Sequence, residues 1–274
     1  MRARLGVLGW PVAHSRSPAM HNAALAHMGI EGWRYQLLPV PPALLEQTVR
    51  ALPASGFAGA NVTIPHKQRA LAMADSAGDA ALAIGAANTL TFADGGAIAA
   101  ENTDAPGLLA ALGREPRGER ALVLGAGGSA RAAVWALAQA SAREVSIWNR
   151  TPGRARALAE ELGVRAVSEP VAAELLVNCT SVGLEPGADG DRHGAERELS
   201  ALGLSFAALG SYETVVDLVY RAGAQTALVQ AATAHGARVL DGLEVLVHQG
   251  ALSLELWTGR KAPLEVMRAA ARAA

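Results

Sequence analysis

Ala121-Leu122-Val123-Leu124-Gly125-Ala126-Gly127-Gly128-Ser129-Ala130 is the stretch that decides the fold. Four apolar residues make a short buried strand, and a glycine-rich turn follows at once. A helix is expected from Ser129 to about Ala140, then a strand from Glu144 to Trp148. GxGxxA between a strand and a helix, inside a βαβ unit, is a dinucleotide fingerprint. Gly125 permits the tight turn, Gly127 lets the backbone approach a pyrophosphate, and Ala130 allows close helix–strand packing.

The end of the second strand says which dinucleotide. An NAD site usually places Asp or Glu there, to bind the ribose 2′-hydroxyl. Here the corner is Asn149-Arg150-Thr151-Pro152-Gly153-Arg154, with two arginines and no acid. A carboxylate would repel a 2′-phosphate, whereas Arg150 and Arg154 offer it planar, charge-assisted donors. NADP is the expected cofactor.

Upstream, Asn61-Val62-Thr63-Ile64-Pro65-His66-Lys67 alternates like a strand end and then breaks at proline into a helix, His66 to about Asp75. Lys67 falls in that helix's first turn, a poor place for a cation. Of 24 Lys and Arg residues only Lys67 and Lys261 are lysines. Arginine keeps its proton in a protein, but lysine can release one. Lys67 is therefore either a solvated surface group or a proton carrier.

The remaining elements follow in order. A strand over 3–9 leads to His14-Ser15-Arg16-Ser17-Pro18 and a helix to about Met28. Ser17 serves either as the helix N-cap or, with Ser15, as a donor to a carboxylate or hydroxyl ligand. Strands over 33–40 and 59–64 and a helix from Pro42 to Pro53 complete a mainly parallel α/β pattern. A helix over 78–84 precedes Gly85-Ala86-Ala87-Asn88-Thr89, with Asn88 at a strand start and Asp94-Gly95-Gly96 as the hairpin turn. In Glu101-Asn102-Thr103-Asp104, Asp104 reads first as a helix cap.

Charge, Pro and Gly over 115–120 suggest a domain boundary. Beyond the fingerprint, a helix (154–162), a short strand (164–167) and the strand 175–179 are expected, with Thr180 to Gly183 at the ligand-binding end. Residues 185–210 yield no chemistry. The strand 214–220 ends in Tyr220, whose hydroxyl could face a cleft. A helix (225–235), Arg238 to Leu240, a long helix to about Trp257 and a last helix over 263–273 close the chain, the last packing on the first domain.

Composition limits the partners. Apolar residues make up 51% of the 274, so burial is not limiting. The formal charge of −1 and absence of a basic patch argue against nucleic acid or anionic membrane. No apolar run nears the ~20 residues a bilayer needs, and no signal peptide is evident. The single cysteine, Cys179, lies in an apolar run and reads as a core residue. A soluble cytoplasmic protein acting on a small molecule is expected.

Together, His14 to Pro18, Asn61 to Lys67, Gly85 to Thr89, Asn102 to Asp104, Gly125 to Gly128, Asn149 to Thr151 and Asp241-Gly242-Leu243 to Gln249 resemble the shikimate dehydrogenases, collinearly over nearly the whole chain. The resemblance implies NADPH-linked, reversible reduction of 3-dehydroshikimate to shikimate, on the way to aromatic amino acids. It implies Lys67 and Asp104 as the catalytic pair. Substrate contacts would be Ser15, Ser17, Asn61, Thr63, Lys67, Asn88, Asp104, Tyr220 and Gln249. Cofactor contacts would be Asp79, Gly125, Ala126, Gly127, Gly128, Ser129, Asn149, Arg150, Thr151, Arg154, Leu218 and Gly242. No metal is implied. Residues 1–103 with 241–274 would form a mainly parallel α/β substrate domain, and 104–240 a Rossmann-type NADP domain, in a monomer or homodimer. Two rivals are an NAD-using quinate/shikimate dehydrogenase, which would want an acid at 149–154, and an idle dinucleotide-sensing module, which could lose Lys67 or Asp104.

Overall fold

The computed structural model describes residues 3–93, 95–184, 192–221 and 223–274. Asp94 of the expected hairpin turn, Ala222, and 185–191 of the irregular stretch lie outside them. Two compact units form, 1–107 with 246–274, and 108–245.

The first unit opens β1 (Ala3–Gly9), α1 (Ser17–His27), β2 (Trp33–Pro39), a 3-10 turn and α2 (Leu45–Ala51). Then come β3 (Phe57–Val62), α3 (Lys67–Ala72), β4 (Ser76–Ala77), α4 (Asp79–Ile84), β5 (Thr89–Phe92), β6 (Ile98–Glu101) and the start of α5 (Asp104–Leu112). Its sheet runs β2-β1-β3-β5-β6-β4. β5 alone runs against its neighbours, so the sheet is mainly parallel, as expected. Leu8, Ala60, Val62, Leu90 and Ile98 bury one face of it under Leu45, Val49 and Ala70.

The second unit continues with β7 (Arg120–Leu124), α6 (Gly128–Gln139), β8 (Glu144–Trp148), α7 (Pro152–Leu162), β9 (Arg165–Ala166) and β10 (Leu175–Asn178). It ends with α8 (Arg192–Ala201), β11 (Thr214–Asp217), α9 (Ala227–Ala234) and β12 (Arg238–Leu240). The order β12-β11-β10-β7-β8-β9, every pairing parallel, is that of a doubly wound dinucleotide fold. Both faces are covered. Val123, Leu175 and Val177 enter one apolar core, while Leu122, Leu124 and Leu176 enter the other. That is why these strands read as unbroken apolar runs rather than alternating ones.

The chain leaves the first unit within α5 and re-enters it within α10 (Gly242–Thr258), followed by α11 (Leu264–Ala273). α11 packs on α1, and the buried Arg16 guanidinium donates to the Ala271 carbonyl at 2.8 Å. A cation there suits the negative end of the helix dipole.

Several expectations change. The polar stretch 115–120 is the connection from α5 to β7 inside the second unit. The helix expected over 66–75 is shorter, Lys67–Ala72. Ser17 does not cap α1; it is the first helical residue, and its N–H donates to Ser15 Oγ at 3.3 Å. Nor does Asp104 cap α5. Asn102 Oδ1 takes the Ala105 N–H at 3.2 Å, leaving the Asp104 carboxylate for other partners.

Candidate active site

In the first unit a polar cluster gathers where β3, β5, α5 and α10 meet. Lys67 opens α3 just after the β3 end, and its Nζ donates to Asp104 Oδ2 at 2.6 Å. The two side chains keep only 11% and 16% of their surface exposed. Asp104 Oδ1 accepts from Asn88 Nδ2 at 2.9 Å. That amide also lies 2.9 Å from Thr103 Oγ1 and 3.0 Å from Gln249 Oε1. Asn88 Oδ1 in turn takes the Thr103 N–H at 2.7 Å. Gly107 makes this meeting possible, because a Cβ there would stand 2.7 Å from that of Gln249. Without it α5 and α10 could not bring Asp104 and Gln249 to one amide.

Behind this layer lies a second, which was not foreseen from the sequence. Asn61 is buried; its amide reaches Ser253 Oγ at 2.8 Å, the Asn88 carbonyl at 3.1 Å and Thr89 Oγ1 at 3.2 Å. Its Oδ1 accepts from the Tyr35 hydroxyl at 2.8 Å. With two amide hydrogens facing three acceptors, Asn61 has no donor left for a ligand. It braces Asn88 and Thr89 instead. Gln249, Ser253 and Trp257 recur every four residues along α10, the one signal that could have pointed to Ser253. Tyr35 stacks on the fully buried His21, ring centroids 4.2 Å apart, and burial pushes His21 down to about 3. Tyr35→Phe strands a buried Asn61 oxygen, so it should cost about 1–3 kcal/mol of stability, read as a lower denaturation midpoint.

Thr63 is half-buried, its N–H donating to the Leu8 carbonyl at 2.8 Å. Ser15 Oγ donates to Ser17 Oγ at 3.2 Å, so the two hydroxyls form a pair at the start of α1. Next to Lys67, His66 is buried with Nε2 2.7 Å from the Val40 carbonyl, and burial lowers its pKa. A neutral imidazole adds no competing charge beside the lysine. Asp79 is exposed, at the first position of α4.

The dinucleotide fingerprint of the second unit sits at the β7–β10 switch point of the sheet. Gly125 has φ +112°, a region other residues rarely enter. Gly127 is the N-cap of α6 and a Cβ added there meets nothing within 4 Å. The α6 start therefore presents an open backbone with no side-chain cap, fit for a pyrophosphate. Ala126 is half-buried, and Gly128 and Ser129 form the first turn of α6. At the end of β8, Asn149 Nδ2 donates to the Thr151 carbonyl at 3.0 Å and shapes the turn into α7. Arg150 and Arg154 are exposed there. Leu218 and Gly242 pack on each other: a side chain at 242 would strike the Leu218 carbonyl. Tyr220 is half-buried beyond the end of β11.

Comparison with known proteins agrees. Residues 7–90 match the family described as shikimate dehydrogenase substrate binding domain, 110–178 shikimate / quinate 5-dehydrogenase, and 242–272 shikimate 5′-dehydrogenase C-terminal domain. The chain is 45% identical to a shikimate dehydrogenase (NADP(+)) of Thermus thermophilus, over 99% of this chain and 98% of that one. It is 42% identical to that of Symbiobacterium thermophilum, over 98% and 94%. The chain belongs to the shikimate dehydrogenase family. A crystal structure of the shikimate 5-dehydrogenase of Thermus thermophilus, in complex with NADP(H) and shikimate, superposes with TM-score 0.86 at 42% identity, covering 99% of both chains. Within this family frame the polar cluster of the first unit and the glycine turn of the second are the two places where ligands are to be sought.

Proposed function

We propose that this protein is a shikimate dehydrogenase, reversibly reducing 3-dehydroshikimate to shikimate with NADPH in the cytoplasm. The observation that carries this is the ion pair of Lys67 and Asp104 set among Asn88, Thr103 and Gln249, in a chain that also holds an open glycine turn for a dinucleotide.

NADPH supplies a hydride to the ketone carbon when bound. Gly125 to Ser129 would hold its pyrophosphate, Asn149 to Thr151 and Arg154 its adenosine end, and Asp79, Leu218 and Gly242 would complete the contacts. The residues fit: the α6 N-terminus favours negative charge, and no acid stands at 149–154 to repel a 2′-phosphate. The NAD-using rival wants such an acid. The idle-module rival has no use for a paired lysine and aspartate.

The chain's own task is the proton. A reduced carbonyl carbon leaves an alkoxide oxygen that must be protonated, and the reverse reaction needs the hydroxyl proton taken away. The Lys67 ammonium donates that proton and recovers it from solvent; Asp104 aims the Nζ and balances its charge. Asn88, Gln249 and Thr63 would hold ring hydroxyls, Tyr220 a further polar group, and Ser15 and Ser17 the carboxylate. Asn61, with its hydrogen bonds used up, supports Asn88.

Absorbance of reduced nicotinamide, with shikimate or quinate and NADP+ or NAD+, tests this. The expected preference is shikimate with NADP+; a preference for quinate with NAD+ would overturn it. Replacing both Arg150 and Arg154 with Ala removes two charge-assisted contacts of about 1.5–3 kcal/mol each before solvent weakens them. KM for NADP+ should rise roughly 10- to 100-fold while KM for NAD+ stays put. Equal effects on both cofactors would remove these arginines from 2′-phosphate recognition.

A further inference from the structure

Asp217 ends β11 and is fully buried. Its Oδ1 accepts from Asn178 Nδ2 at 2.9 Å and the Val219 N–H at 3.1 Å, and its Oδ2 from Thr226 Oγ1 at 2.5 Å. Each donor belongs to a different segment: the end of β10, the turn after β11, and the cap of α9. The chains of hydrogen bonds all point inward. Val182 N–H donates to Thr180 Oγ1, Thr180 Oγ1 to Asn178 Oδ1, and Asn178 to Asp217. From the other side the Val229 N–H donates to Thr226 Oγ1, which donates to Asp217. Only an acceptor-only group completes this arrangement.

We propose that Asp217 is a positioning residue that sets the turn carrying Leu218 and Tyr220, and the Thr180–Gly183 loop, in the geometry ligands need. The proposal rests on the functional reading above, in which Leu218 and Tyr220 contact cofactor and substrate. No lysine, arginine or histidine pairs with Asp217 among the described residues. The charges nearest the cluster are Glu198 of α8, like in sign, and Arg221, which is tied to Glu198 at 2.7 Å. Burial pushes the Asp217 carboxyl up to about 6. At neutral pH the fold thus carries an unpaired buried charge, which works against stability. Such a cost is typical of groups kept for function rather than for folding.

Asp217→Asn separates the two roles. Asn keeps the shape and drops the charge, but its NH2 must face either the Asn178 and Val219 donors or Thr226, whose hydrogen then loses its acceptor. At pH 8 the variant should melt at or above the parent temperature. Its kcat/KM for shikimate and NADP+ should fall at least fivefold, mainly through KM, and so should its affinity for NADPH read by fluorescence. A smaller kinetic change, or a melting temperature below the parent's, overturns the proposal; the latter would make Asp217 a stabiliser of the fold. The parent is assayed alongside. A parent that neither turns over shikimate nor binds NADPH sinks the functional reading itself, whereas an active parent with an unaltered variant sinks only the role of Asp217.

Discussion

Lys67→Ala should lower kcat by roughly 10³-fold, within the 10²–10⁴ that a positioned general acid contributes, and leave KM for shikimate nearly unchanged. Lys67 Nζ is tied to Asp104 at 2.6 Å, so its part in holding substrate is shared with Asn88, Gln249 and the serine hydroxyls. Its part in moving a proton is shared with nothing: beside it, His66 has its Nε2 at the Val40 carbonyl. Lys67→Arg should be nearly as slow despite keeping the charge, because a guanidinium does not give up its proton. Initial rates at saturating shikimate and NADP+ decide. Turnover within about tenfold of the parent for either variant would remove Lys67 from the proton step.

What could be read in advance divides along a physical line. The second unit was legible because its signals are local. A glycine turn between two apolar runs specifies its own backbone, and β7, α6 and β8 lie within two residues of where they were placed. Which apolar strand faces which core needs only the doubly wound pairing. The first unit was legible in outline, with Lys67 and Asp104 brought together as expected. Its second layer was not. Asn61 and Ser253 lie 192 positions apart and Tyr35 reaches Asn61 across two strands, so no window of sequence contains the contact. Caps failed for another reason. Asn102, Thr103 and Asp104 can each cap a helix, and the choice fell to Asn102 because the Lys67 ammonium and Asn88 amide claimed the carboxylate of Asp104. α8 was missed because its sequence, His193 to Ser200, is mostly polar and shows little period. Its Glu198 is held by tertiary partners, Arg221 at 2.7 Å and the Ala227 N–H at 2.7 Å.

Asp104→Asn should be almost as damaging as loss of the lysine. Both groups that face Asp104 are donors, the Lys67 ammonium on Oδ2 and the Asn88 amide on Oδ1. A carboxylate accepts at both oxygens, but an Asn side chain must turn its NH2 towards one of them. If it faces Lys67, the ammonium loses its counter-charge and its aim; if it faces Asn88, that side chain is pushed from Thr103 and Gln249. Either way kcat should fall about 10²-fold or more. Asp104→Ala also leaves a largely buried cation unpaired. Since both side chains keep some solvent contact, the stability cost should be about 1–3 kcal/mol, below the 3–5 of a fully buried pair. The double variant Lys67→Ala, Asp104→Asn is the sharper measurement. If Asp104 acts through Lys67, the second change adds little once the lysine is gone, and the double variant is about as slow as Lys67→Ala alone. Rate losses that multiply would mean that Asp104 acts on substrate independently, and would break the pair into two separate contributions.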